Sequence, residues 1–139
     1  MDQSRVEFVK LDFGGRRVGF AEGGVVFIKG DAGDKAYVVA SGNIEIREGG
    51  RVIETMGPGE LFGEMALIDS EPRSASAVAV GPTELVLVDR AEFERRLSEE
   101  PDFAIKIMRL MARRLRATMA VGASNIQEAF PVGVPKMTA

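Results

Sequence analysis

Glycine punctuation constrains this chain more than any other feature. Glycines fall at Gly14-Gly15, Gly23-Gly24, Gly30, Gly42 and Gly49-Gly50, and the runs between them are short and rich in valine, isoleucine and aromatic residues. Short β-branched and aromatic runs bounded by turn formers are strands. Recurring at this interval, they build a sandwich, barrel or roll rather than alternating β and α layers. The strands predicted are Arg5 to Leu11, Arg16 to Phe20, a buried strand Val25 to Ile28, Ala36 to Ala40, Ile44 to Arg47 and Arg51 to Met56. Gly42-Asn43 separates the fourth from the fifth, and the spacing is that of a β-roll.

The stretch from Gly57 to Val80 has a different character. Gly63 lacks a Cβ and lets a ligand approach the backbone, and the run Glu64 to Ile68 suits one or two helical turns whose first N–H groups point outward. Phosphate is attracted to such a helix start. Pro72 forces Glu71 out of the helical region and delivers Arg73, whose guanidinium can grip two phosphate oxygens. Ser74 adds a hydroxyl and an N–H. Plainer readings exist for single residues: Glu64 as a first-turn acid, and Arg73 as a surface ion-pair partner of Asp69 or Glu71. The joint order of glycine, acid, helix, proline, arginine and serine favours an anion cradle.

Ala75 to Val80 alternates like an outgoing strand, and Glu84 to Val88 completes the roll. Asp89 then begins a helix over about 89–98, with Glu92 as capping-box partner. Pro101 opens a second helix over about 101–121, Asp102 lies at its positive end, and Gly122 ends it. Three rows run along this helix. Lys106, Arg109, Arg113 and Arg116 form a basic row that reads as a solvated face. Met108, Met111, Leu115, Thr118 and Gly122 have the spacing of a pairing seam, which either joins two copies or packs on the roll. Phe103, Ile107, Leu110, Arg114, Ala117 and Val121 are apolar except for one arginine, which needs a partner or reaches water. Ala123 to Ala139, with Pro131, Gly133 and Pro135, reads as a flexible tail. The domain therefore spans 1–122, with the roll over about 4–88.

Composition excludes several functions. At 139 residues and 45% hydrophobic content the chain is one domain with an ordinary core. No apolar run approaches a membrane span and no signal peptide opens the chain, so the cytoplasm is the expected compartment. Cysteine and histidine are both absent, which removes thiolate and imidazole metal sites and the common nucleophile pairs. No residue is assigned as catalytic or metal-ligating. A net charge of −3 does not suit a general nucleic-acid binder.

Phe62-Gly63-Glu64-Met65-Ala66-Leu67, followed after a spacer by Pro72-Arg73-Ser74-Ala75, resembles the phosphate-binding cassette of the cyclic-nucleotide-binding domain family. Gly23, Phe27, Gly30-Asp31, Tyr37, Val39, Gly42 and Ile44 also fall where that family's roll has turn glycines and core residues, with Tyr37 in the core. The resemblance implies a mainly β fold, an antiparallel, jelly-roll-like β-roll with a short phosphate-binding helix and a long C-terminal helix. It implies a sensor and not an enzyme, with cyclic AMP favoured over cyclic GMP as ligand and no cofactor. Arg73, Ser74 and the Ala66 N–H would hold the phosphate, and Gly63 and Glu64 the ribose. Thr118 would meet the base, and Arg114 would pair with Glu64 or the base. Leu61, Phe62 and Val52 would line the pocket. Met119 stands where a serine crosses the dimer in a relative. Cyclic GMP stays open, because Ser74 can bond a guanine amino group. A homodimer through the 101–121 helix and an unidentified downstream protein are the implied partners, with no nucleic acid and no membrane. The residues after this helix are expected to leave no room for a DNA-binding or catalytic output module. The alternative is a protein-interaction module that keeps the fold without the ligand.

Overall fold

In the computed structural model, which describes residues 15–129, the elements run β1 (Arg17–Phe20), β2 (Val25–Phe27), β3 (Lys35–Glu48), β4 (Arg51–Met56), β5 (Leu61–Phe62), α1 (Met65–Asp69), β6 (Ser76–Asp89), α2 (Arg90–Glu99) and α3 (Pro101–Ala129). The predicted strand Arg5 to Leu11 lies outside the described residues. Every pairing is antiparallel: β1, β6, β3 and β4 lie side by side in that order, β2 also pairs with β6, and β5 with β3. This is the mainly β roll with C-terminal helices that the sequence implies.

The spine is the long pairing of β3 with β6, from Lys35 opposite Asp89 to Arg47 opposite Ser76. Two breaks expected from sequence are absent here. Ala36 to Ala40 and Ile44 to Arg47 are one strand, and so are Ala75 to Val80 and Glu84 to Val88 apart from Ala75 itself. Gly42 and Gly81 have positive φ, yet they bend the ribbon at a shared bulge instead of reversing it. A Cβ at Gly42 would lie 2.4 Å from the Thr83 hydroxyl, which accepts the Asn43 N–H at 3.3 Å and faces the carbonyls of Asn43 and Gly81. Gly49 and Gly50, both at positive φ, do make a true reversal, closing the tight hairpin between β3 and β4.

Val39, Ile44, Met56, Phe62, Ala77, Ala79 and Leu85 form the core, with Phe20, Val26, Phe27, Tyr37 and Ile46 packed round it. Val25 to Ile28 is not the buried strand expected: Val25 and Ile28 are exposed, and Val26 and Phe27 lean on the core.

Asp89 caps α2 by accepting the Glu92 N–H at 2.8 Å. The Glu92 carboxylate does not return the bond but receives Arg95 and Arg96. The chain divides into two compact units, one ending at Glu100 and the other beginning at Pro101. On α3, Phe103, Ile107 and Leu110 share one face and are buried. The helix passes Gly122 and continues to Ala129, so residues 123–129 are helical and not tail. A glycine inside a helix costs only about 1 kcal/mol relative to alanine and does not stop it. No helix among the described residues is long and apolar enough to cross a membrane.

Candidate ligand-binding site

The cassette is seated by the turn that precedes it. Gly59 N–H donates to Val39 and Val39 N–H to Glu60, while the Glu60 carboxylate accepts the Gly57 N–H. β5 then lays Leu61 and Phe62 against Val38 and Tyr37. Gly63, at φ +77°, turns the chain outward, and Glu64 opens α1 as its N-cap with its side chain fully buried. The N–H groups of Leu67 and Ile68 both donate to the Glu64 carbonyl, at 3.0 and 3.1 Å. Those of Met65 and Ala66 precede this ladder. Ser70, left-handed at φ 58°, caps the end of α1, so the helix stops at Asp69, three residues before Pro72. Arg90, the first residue of α2, donates to the Leu67 carbonyl at 2.9 Å and to that of Ala66 at 3.5 Å, which satisfies the C-terminal end of α1.

Arg73 is the centre of the site. Its backbone is tied to the turn after β2: Arg73 N–H donates to Asp31, and Gly30 N–H to Arg73, both at 2.8 Å. Its side chain is 7% exposed. Nη1 donates to the Gly63 carbonyl at 2.7 Å and Nη2 to the Lys35 carbonyl at 2.6 Å. Its Cζ lies 4.0 Å from the Phe27 ring centroid. The surface ion pair with Asp69 or Glu71 is not what this arginine forms: Asp69 accepts the Glu71 N–H instead. Arg73 Nε is buried with no hydrogen-bond partner among the described residues.

Aromatic rings floor this arrangement. Tyr37 stacks on Phe62 with centroids 5.3 Å apart, and Phe27 lies 6.1 Å from each. Burial pulls the Arg73 guanidinium below its ordinary pKa, opposed by Tyr37, Asp34, Glu64 and Asp31. Burial pushes the Tyr37 phenol up, and Arg73 and Lys35 oppose that rise.

Gly63, Glu64, Ala66 and Arg73 are thus brought together, with Ser74 beside them and exposed. Leu61 and Phe62, 0% and 1% exposed, are both buried; as consecutive strand residues they face opposite ways, and Phe62 joins the core of the roll. Val52, 49% exposed, sits on β4 opposite Arg47. Arg114 is half-buried on α3, and the side chain of Thr118 lies outside the described residues. The sequence reading missed the segment from Phe27 to Lys35, which supplies the ring, the backbone tie and a carbonyl for Arg73. It missed Arg90 as well. Neither carries a local signal, since the carbonyls and the helix end that they serve lie far away along the chain.

With this geometry in view, the comparison with known proteins is direct. The family model described as "Cyclic nucleotide-binding domain" matches residues 17–100. This chain belongs to the cyclic nucleotide-binding domain family. The domain is 43% identical over 102 residues to the Cyclic AMP receptor protein of Thermus thermophilus, covering 70% of this chain and 47% of that protein. The crystal structure of Thermus thermophilus Catabolite Activator Protein is similar at a TM-score of 0.76 and 39% identity, covering 87% of this chain and 60% of that one. The regulatory domain of Toxoplasma gondii PKA, solved with cAMP, is similar at a TM-score of 0.55 and 30% identity, covering 58% of this chain and 32% of that one. This cyclic nucleotide-binding domain thus spans about half the length of the Thermus receptor it matches.

Proposed function

We propose that this domain is a cyclic-nucleotide sensor whose ligand is cyclic AMP, and that it works by binding and not by turnover. The observation that carries the reading is the buried Arg73 guanidinium, held beside Gly63 with an unused Nε–H donor. A cyclic phosphate is an acceptor-only anion of the size that such a fork holds. Arg73, the Ala66 and Ser74 N–H groups and the Ser74 hydroxyl hold the phosphate. Glu64, with the Gly63 backbone, accepts the ribose 2′-hydroxyl. Cyclic AMP is named for the Thermus and Toxoplasma proteins. A protein 30% identical, from a cyclic-GMP-dependent signalling pathway, keeps cyclic GMP in the test.

We also propose a homodimer through α3. Ile105, Met108, Leu115 and Met119 are exposed, and with Ala112 they follow the three-four spacing of a pairing seam. This row shares Met108 and Leu115 with the seam expected from sequence but uses Ala112 and Met119 in place of Met111 and Thr118.

Isothermal titration of wild type and Arg73→Ala with cyclic AMP, cyclic GMP and 5′-AMP tests the sensor. Micromolar or tighter binding of cyclic AMP, weakened at least about a hundredfold in Arg73→Ala and absent for 5′-AMP, is the expected result. Preference for cyclic GMP would revise the ligand. Binding of neither would leave a protein-interaction module.

A further inference from the structure

Gly33 lies in the loop between β2 and β3, two residues after Asp31 and two before Lys35, the residues whose carbonyls receive the Arg73 N–H and Nη2. Its backbone does not explain the choice of glycine, since Gly33 is absent from the positive-φ residues of the described chain. Space does. A Cβ at this position would lie 2.6 Å from Arg73 Nε, 2.7 Å from Arg73 Cζ and 2.7 Å from the Ala66 Cβ. Real Cβ atoms are not found so close to other heavy atoms, so one neighbour would have to move. Ala66 is buried in α1, and that helix is fixed at its start by the two bonds to the Glu64 carbonyl and at its end by Arg90. The guanidinium is the far end of a flexible side chain, so it gives way first.

We propose that Gly33 is a positioning residue of the phosphate site: its missing side chain is what seats the Arg73 guanidinium between α1 and the loop from Phe27 to Lys35. The proposal rests on the cyclic-nucleotide reading above, and adds a specificity that neither the cassette nor its spacing expresses. Any side chain at position 33 displaces the fork from the Gly63 and Lys35 carbonyls. The fold tolerates this, because the displaced atoms are at the tip of one side chain. The ligand does not, because its proposed anchor, the Arg73 guanidinium, has moved. Gly63 cannot isolate the same effect, since its φ of +77° makes any substitution there strained in the backbone.

The test combines a ligand-independent readout with affinity. Nitrogen-15 NMR follows the Arg73 Nε–H signal, assigned by its loss in Arg73→Lys. In wild type it should exchange slowly with water, because Nε is buried. In Gly33→Ala it should exchange at the rate of surface arginines, and cyclic AMP should bind about tenfold or more weakly. Gly19→Ala is the control, since nothing lies within 4 Å of a Cβ there; it should change neither. If Gly33→Ala folds poorly, the double variant Gly33→Ala with Ala66→Gly removes the methyl clash, keeps the clash with Arg73 and should show the same released signal. A protected Nε–H in these variants overturns the proposal. So does a released Nε–H with unchanged cyclic AMP affinity. If wild type binds no cyclic nucleotide, the ligand reading fails, and the Nε–H signal alone decides whether Gly33 seats Arg73.

Discussion

An arginine whose two terminal nitrogens already rest on carbonyls is oriented before any ligand arrives. Arg73 therefore contributes direction as well as charge, and the two can be separated. Arg73→Lys keeps a cation but loses the planar fork, so cyclic AMP affinity should fall roughly 10- to 100-fold with the fold intact, as titration and circular dichroism would show. Glu64 offers a second separation. It is fully buried at the head of α1, and Glu64→Gln should narrow the ratio of cyclic AMP to 2′-deoxy cyclic AMP affinity by about tenfold, because the wild-type carboxylate is left worse off when its hydroxyl partner is missing. A ratio unchanged in the variant would remove Glu64 from the ribose. Gly63, Glu64, Arg73 and Ser74 were legible in the sequence because they are close together and ordered. Gly33 was not: within Asp-Ala-Gly-Asp it looks like one more turn glycine, and only the folded chain brings it against an arginine far along the sequence.

Elements end and join in this chain by means that glycine counting does not capture. Gly42 was read as a break because it has turn character, and Gly81 lies in the gap between two strands that were read apart. In the fold they sit on adjoining strands, so the two irregularities accommodate each other and the ribbon passes through. Gly122 was read as a stop, yet it has helix-compatible residues on both sides. Conversely, α1 ends on Ser70 in a conformation that favours glycine. Ser70→Gly should raise stability by about 0.5–1 kcal/mol in urea unfolding. The α2 network gives a pH signature. Arg95 and Arg96 lower the Glu92 pKa from its ordinary 4.5, with burial opposing them. The resulting stability is therefore present above that ordinary value and lost as pH falls through the lower folded value. Wild type should exceed Glu92→Gln by about 0.5 kcal/mol at pH 7, and the gap should close as pH falls below the ordinary carboxylate value.

For the molecule as a whole, the exposed apolar row of α3 sets the expected assembly. Light scattering should report a dimer mass for wild type and a monomer for Leu115→Glu, with the same β-sheet circular dichroism. A monomeric wild type would show that the row serves another partner. The long pairing of β3 with β6 bears on how the domain comes into being. The Arg73 fork spans 38 residues to the Lys35 carbonyl, and its backbone is tied to Asp31 across a similar interval. Contacts so distant in sequence form only after the intervening chain has lost its freedom, so they are late events in folding. A growing chain that has emerged only as far as the cassette has the binding residues but no site. The nucleotide can recognise only a roll that has already closed, and by mass action it then protects that closed form against reopening. Under the proposed function, ligand binding is then a test of completed folding.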